Sequence, residues 1–83
     1  MDFMNTLVNQ IKPGQTWRHY KGNDYRIITV SCCTETLQWY VVYEALYKNE
    51  VSSIWHRPLD MFLESIEIDG AVVPRFKQIK EKF

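Results

Sequence analysis

The sequence predicts a mainly β protein: a small SH3-like or OB-like barrel of about five strands, with an N-terminal helix and one short helical turn. Runs of alternating apolar and polar residues, rich in β-branched and aromatic side chains, follow residue 14. Gly, Pro, Asn and Asp separate these runs, as turns require. Closing the sheet would remove exposed strand edges. An α+β arrangement with an open antiparallel sheet is the alternative.

The chain is long enough for a single small domain, residues 1–83, with a modest core. Its 46% hydrophobic and 14% aromatic residues are typical of a folded protein. The ten basic and ten acidic residues balance, which removes the simplest electrostatic argument for a nucleic-acid-binding protein.

The first predicted element is a helix over residues 2–11. Its apolar residues recur at helical spacing, Asp2 stands at its start and Pro13 follows its end. The apolar stripe must be covered by another surface. We expect the helix to cap the fold, and a homodimer or partner contact through this helix is the alternative.

The remaining elements follow in order between turn residues. In the second strand Tyr25, Ile27 and Thr29 are expected on one face, with Ile28, Val30 and Cys32 on the other. Residues 74–83 are compatible with a strand, a short helix or a tail. The predicted strands span 15–20, 25–33, 37–47 and 53–57, a helical turn spans 59–63, and an Asp69-Gly70 hairpin joins 65–68 to 71–73.

Several short motifs occur in a fixed order along the chain. They are His19-Tyr20-Lys21-Gly22, Thr34-Glu35-Thr36, Val42-Tyr43, Trp55, Arg57-Pro58, Met61-Phe62 and Pro74-Arg75-Phe76. In this order they resemble the mainly bacterial domain-of-unknown-function family 1653 over residues 13–77, leaving 78–83 as a tail. The resemblance implies a short, single-domain cytoplasmic protein made mostly of strands, and it supplies no activity. His56 departs from the pattern, where an apolar residue is expected.

The first predicted hairpin, residues 17–25, contains more functional side chains than a tight turn requires. Aromatic residues are also too numerous for one small core, so some should form a binding surface; Tyr20, Tyr25, Tyr40 and Trp55 are expected to be exposed. We predict a binding module with an aromatic and basic groove for nucleic acid, a nucleotide or an acidic peptide. The predicted ligand-binding residues are His19, Tyr20, Lys21, Tyr25, Trp55, Arg57 and Arg75.

The two arginines of this set are expected to differ in their use. Each could grip a carboxylate or phosphate. For Arg57 we expect an internal salt bridge to a nearby carboxylate, namely Asp60, Glu64 or Glu67. Arg75, at the start of the basic tail, is the better ligand contact.

An enzyme is the alternative function, a small hydrolase or transferase using His19 and Glu35 as an acid–base pair. The sequence favours a non-enzymatic role, because it contains no phosphate-binding glycine loop and no nucleophile beside this pair. His19 could equally hold the hairpin by a hydrogen bond. We predict no metal site and no cofactor, since neither the histidines nor the adjacent Cys32 and Cys33 have ligand spacing.

The start of the chain lacks the pattern of a signal peptide, and no apolar run approaches the ~20 residues of a membrane span. We therefore expect a cytoplasmic protein with no membrane contact, either monomeric or homodimeric.

Overall fold

The computed structural model describes residues 7–79, which form seven strands and a five-residue helix. No helix within these residues is long and apolar enough to cross a membrane. The elements are β1 (Thr16–His19), β2 (Asp24–Cys32), β3 (Trp39–Ala45), β4 (Ile54–Pro58), α1 (Leu59–Leu63), β5 (Ser65–Ile68), β6 (Ala71–Pro74) and β7 (Phe76–Ile79).

Five strands form one antiparallel sheet in the order β4-β3-β2-β1-β7. The mainly β class is therefore confirmed, with seven strands in residues 7–79 where about five were expected. The sheet is not closed into a barrel: β4 and β7 are its edges, as in an open sheet. Closure fails because β5 and β6 pair with each other as a separate hairpin and do not bridge the two edges.

The predicted turns and helix boundaries agree closely with the observed elements. Helix α1 begins directly after Pro58, and β5 and β6 flank the Asp69-Gly70 turn. Both turn residues have positive φ, 51° and 82°, as a type I′ hairpin turn requires. Residues 76–79, for which the sequence left several possibilities open, form a strand paired with β1.

The predicted N-terminal helix lies partly outside the described residues, since 2–6 are not among them. Leu7 and Val8 are helical, and the chain has left the helix before Ile11. Ile11 is buried, and Leu7 and Val8 pack against the core. Within the described part, these contacts support capping of the fold.

A β-bulge in β2 changes the predicted alternation of faces. The pairing with β3 shifts by one residue between Ile27 and Thr29, so Ile28 is the extra residue. Ile27 faces the core, as does Val30, which pairs with the fully buried Val41. The prediction that Val30 shares a face with Ile28 is therefore wrong, because a bulge resets the two-residue period.

The core is an aromatic cluster between α1 and one face of the sheet. Phe62 of α1 stacks on Phe76 of β7, with ring centroids 4.1 Å apart and planes 8° from parallel. The edges of Trp17 and Tyr43 pack against Phe62, each at 5.4 Å. These contacts join the helix to three strands of the sheet.

Truncating Phe62 should therefore destabilise the fold strongly. Phe62 is fully buried, whereas its neighbour Met61 is 42% exposed. We expect Phe62→Ala to lower the free energy of unfolding by about 3–5 kcal/mol through lost contacts and a cavity. Met61→Ala, the matched control, should change it by about 0.5 kcal/mol or less. Urea unfolding followed by tryptophan fluorescence would measure both, and equal midpoints for the two variants would contradict this view of the core.

Candidate functional site

A cavity of about 260 Å³ opens at one end of the sheet. At this end β2 begins, β3 ends and β4 begins, so side chains from three strands converge there. We call it the tyrosine–arginine cavity; it is lined by Tyr25, Tyr43, Tyr47, Asn49, Trp55 and Arg57.

Strand pairing explains why these side chains share one face. Directly paired residues of antiparallel strands point to the same side of a sheet. Tyr43 pairs with Trp55, and the buried Val41 pairs with Arg57. The alternation that buries Val41 therefore also directs Tyr43, Trp55 and Arg57 to the core face.

Tyr25 contacts the other two tyrosines of the cavity. Its ring packs edge-on against Tyr43 at 5.2 Å and Tyr47 at 5.5 Å. The Tyr25 and Tyr47 hydroxyl oxygens are 2.7 Å apart and share a hydrogen bond. Burial, followed by this hydrogen bond, raises the pKa of Tyr25 above its ordinary value. Tyr25 therefore stays a neutral hydroxyl group at physiological pH.

Arg57 supplies the positive charge of the cavity. Its Nε donates a long hydrogen bond to the Tyr43 hydroxyl at 3.4 Å, and its guanidinium carbon lies 5.6 Å from the Phe76 ring centroid. Arg57 is half-buried, and no Asp or Glu side chain among residues 7–79 lies within salt-bridge distance of it. The predicted internal salt bridge of Arg57 is therefore wrong.

Arg75 makes the internal salt bridge instead. Its Nη2 donates to Glu64 Oε1 at 2.6 Å, and its backbone N–H donates to the Glu64 carbonyl. The sequence contained the signal for this pair, because a two-residue Asp69-Gly70 turn fixes a register that places Glu64 opposite Arg75. Arg75 lines neither the tyrosine–arginine cavity nor the second cavity described below.

His19 is the last residue of β1 and lies beside Phe76. Its ring lies 4.9 Å from Phe76 and 4.4 Å from Tyr20. The Lys21 backbone N–H donates to His19 Nδ1 at 3.2 Å, so the neutral ring carries its proton on Nε2. Partial burial, followed by the positive charges of Arg57, Arg75 and Lys21, holds the pKa of His19 below its ordinary value. The hydrogen bond expected to hold the hairpin is present.

The predicted ligand-binding residues fall into separate places. Tyr25, Trp55 and Arg57 meet in the tyrosine–arginine cavity, whereas His19 and Tyr20 line a second cavity beside β7. Lys21 is exposed, with its amine 5.8 Å from the Tyr20 ring centroid, and lines neither cavity. Of the aromatic residues expected on the surface, Tyr20 is 39% exposed and the others are half-buried, namely Tyr25, Tyr40 and Trp55.

The sequence prediction missed Tyr47 and Asn49 as cavity residues. Both lie in the loop after β3, and Asn49 also lies beyond the predicted strand 37–47. The spacing of Tyr43 and Tyr47 continues the two-residue alternation of β3, and this was the available signal.

The predicted pair of His19 and Glu35 does not form. His19 lies at the sheet end where β2 begins, and Glu35 lies in the turn after β2 ends. The nine residues of β2 separate these ends by roughly 27 Å at ~3.3 Å per residue. Elsewhere in residues 7–79, no three His, Cys, Asp or Glu side chains are grouped so that they could hold a metal ion.

Fold and cavity together define a class: a small open antiparallel sheet with an arginine among aromatic rings at one sheet end. The chain belongs to the DUF1653 family, proteins of unknown function, whose profile matches residues 15–78. It is similar to the crystal structure of a DUF1653 protein from Bordetella bronchiseptica, with a TM-score of 0.79 and 28% identity, covering 92% of this chain and 96% of that one. The family resemblance seen in the sequence is thus confirmed. None of the curated proteins compared with the chain matches it.

The electrostatic surroundings of His19 lead to a testable titration. We expect its imidazole to titrate below the usual value of about 6.5 in an NMR pH series. Because the folded state binds this proton less tightly than the unfolded state, the His19 contribution should destabilise the fold as pH falls below that value.

Arg57→Gln should raise the His19 midpoint, since it removes one of the positive charges that lower it. Arg26→Gln is the matched control, because Arg26 is exposed and lies one residue from Tyr25, on the opposite face of β2. Equal His19 midpoints in Arg57→Gln and the unmodified domain would show that these two groups do not interact.

Proposed function

We propose that this domain is a non-enzymatic binding module, and that its tyrosine–arginine cavity takes a nucleotide. The phosphate would lie against Arg57, and the flat base would lie against the aromatic walls. The observation that supports the proposal is the half-buried Arg57, which has no carboxylate partner among residues 7–79.

A charge in this position favours an anionic ligand. Removing a cation from water costs free energy that a counter-ion normally offsets. The Arg57 guanidinium uses Nε on Tyr43, and its planar Nη groups have the geometry that suits a phosphate or carboxylate. The Tyr25–Tyr47 hydroxyl pair also retains a hydrogen that it can donate.

The aromatic walls support a flat ring as the second part of the ligand. Four aromatic side chains could also form a cage for a quaternary ammonium group, but Arg57 in the same cavity would repel such a cation. A base stacks well on aromatic side chains, whatever its sequence identity. The walls and the arginine together therefore favour a ring that carries an anion.

A mononucleotide fits this cavity better than the other predicted ligands do. Single-stranded nucleic acid needs a positively charged track along its backbone, whereas among residues 7–79 Arg57 is the one cationic side chain that lines this cavity. An acidic peptide would use Arg57 and leave the aromatic walls without a stacking partner. The volume of about 260 Å³ lies just below the ~300–1,000 Å³ of most ligand cavities, so it would hold part of one nucleotide and not a longer chain.

We place this module in the cytoplasm. Cys32 is exposed and Cys33 is half-buried, and both are free thiols. Unpaired thiols near the surface are typical of a reducing compartment.

The proposal can be tested by titrating the ¹⁵N-labelled domain with AMP, adenosine, inorganic phosphate and a short acidic peptide. AMP should shift the Trp55 indole N–H and the Arg57 Nε–H signals. Adenosine and phosphate should bind more weakly than AMP, because each retains half of the contacts. Arg57→Gln should weaken AMP binding by about tenfold or more, the equivalent of roughly 1.5–3 kcal/mol for a charged hydrogen-bond set.

Two further variants sharpen the result. Arg57→Lys keeps the charge but loses the planar fork, so its affinity should lie between those of the unmodified domain and Arg57→Gln. Arg26→Gln controls for the loss of one arginine and should leave AMP binding unchanged. Tighter binding of the acidic peptide than of AMP, or AMP shifts away from Trp55 and Arg57, would refute a nucleotide site here.

A further inference from the structure

The second cavity lies where the β5–β6 hairpin meets the β1–β7 pair. It is a groove of about 660 Å³, within the size range of ligand sites. Its lining has an aliphatic part and a basic part. The aliphatic residues are Ile68, Val73, Pro74 and Ile79, and the basic ones include Arg18 and Lys77. We call it the β7 groove.

Strand β7 brings a free edge to this groove. It is the last strand of the five-stranded sheet and pairs with β1 on one side, and no other strand in residues 7–79 pairs with its second side. Three consecutive β7 residues, from Lys77 to Ile79, line the groove. Consecutive strand residues point to opposite faces, so the groove extends to the strand edge and is not confined to one face.

An unpaired edge presents backbone N–H and C=O groups that another strand can pair with. In recognition of this kind, main-chain hydrogen bonds provide the affinity and side-chain pockets provide the specificity. Part of the β7 groove is aliphatic, so the side chains of the incoming strand that face this part should be aliphatic.

The charge of the groove indicates which side chains the other positions of an incoming strand should carry. None of the described residues that line it is an Asp or Glu. Arg18 is paired with Asp24 at 2.7 Å, whereas Lys77 has no salt bridge within the described part of the chain. Lys77 is exposed and follows the buried Phe76, so its amine can meet a carboxylate on an added strand.

We propose that the β7 groove binds an extended segment of a partner protein in which aliphatic and acidic residues alternate, and that this segment adds a strand to the edge of β7. The proposal is independent of the nucleotide site, since no residue within 7–79 lines both cavities.

The probe is a blocked six-residue peptide of alternating valine and glutamate, titrated into the ¹⁵N-labelled full chain. Binding should shift the amide signals of Lys77, Gln78 and Ile79 together with those of Ile68 and Val73. A peptide of alternating valine and lysine should bind at least about tenfold more weakly, because Lys77 repels it. A valine–glutamate peptide N-methylated at alternate residues should lose binding, because it cannot complete the main-chain hydrogen bonds.

Lys77→Glu should weaken the valine–glutamate peptide by about tenfold and favour the valine–lysine peptide. Lys48→Glu is the matched control, an exposed lysine in the loop between β3 and β4 that lines neither cavity, and it should bind like the unmodified chain. Unchanged affinity in Lys77→Glu, or full binding of the N-methylated peptide, would overturn the proposal. The absence of peptide binding would also overturn it. If sedimentation then showed a dimer that Lys77→Glu disrupts, the groove would be assigned to a second copy of this chain.

Discussion

The stack of Phe62 on Phe76 is the contact on which the rest of this structure depends. Phe62 comes from the short helix α1 and Phe76 from the edge strand β7, so this pair of rings joins the helix to the sheet. A five-residue helix is far too short to be stable alone, and it persists because its apolar side is buried. In a domain of this size few such contacts exist, and each carries a large share of the total stability.

The same stack positions the candidate site. The Phe76 ring contacts the rings of His19, Tyr25 and Tyr43 and lies within cation–π distance of Arg57. Four of the six residues that line the tyrosine–arginine cavity therefore belong to strands packed on the core, and Tyr47 and Asn49 come from the loop after β3. A site on rigid elements keeps its geometry when the ligand is absent, which reduces the entropy lost on binding.

Local features of the fold could be predicted from the sequence, while long-range ones could not. The alternation in β3, the proline before α1 and the Asp69-Gly70 turn each act within a few residues, and each led to the correct element. The pairing of β7 with β1 joins segments about 60 positions apart, and the bulge at Ile28 has no turn residue to mark it. The β7–β1 pairing and the bulge both depend on how the chain packs to bury Phe76 and Val30. Only the packing of the whole core therefore determines them.

The two arginines show the same division between local and long-range information. Arg75 meets Glu64 because the hairpin register places them opposite each other, and the Glu64 carboxylate balances the charge of Arg75. Arg57 keeps its charge because β4 directs it towards aromatic rings and not towards the acidic side chains that follow it in sequence. A half-buried arginine with no carboxylate partner lowers the stability of the fold. Natural domains retain such residues mainly where ligand binding compensates for the loss. The charge of Arg57, which no carboxylate among residues 7–79 balances, is thus the strongest physical reason to place ligand binding at this end of the sheet.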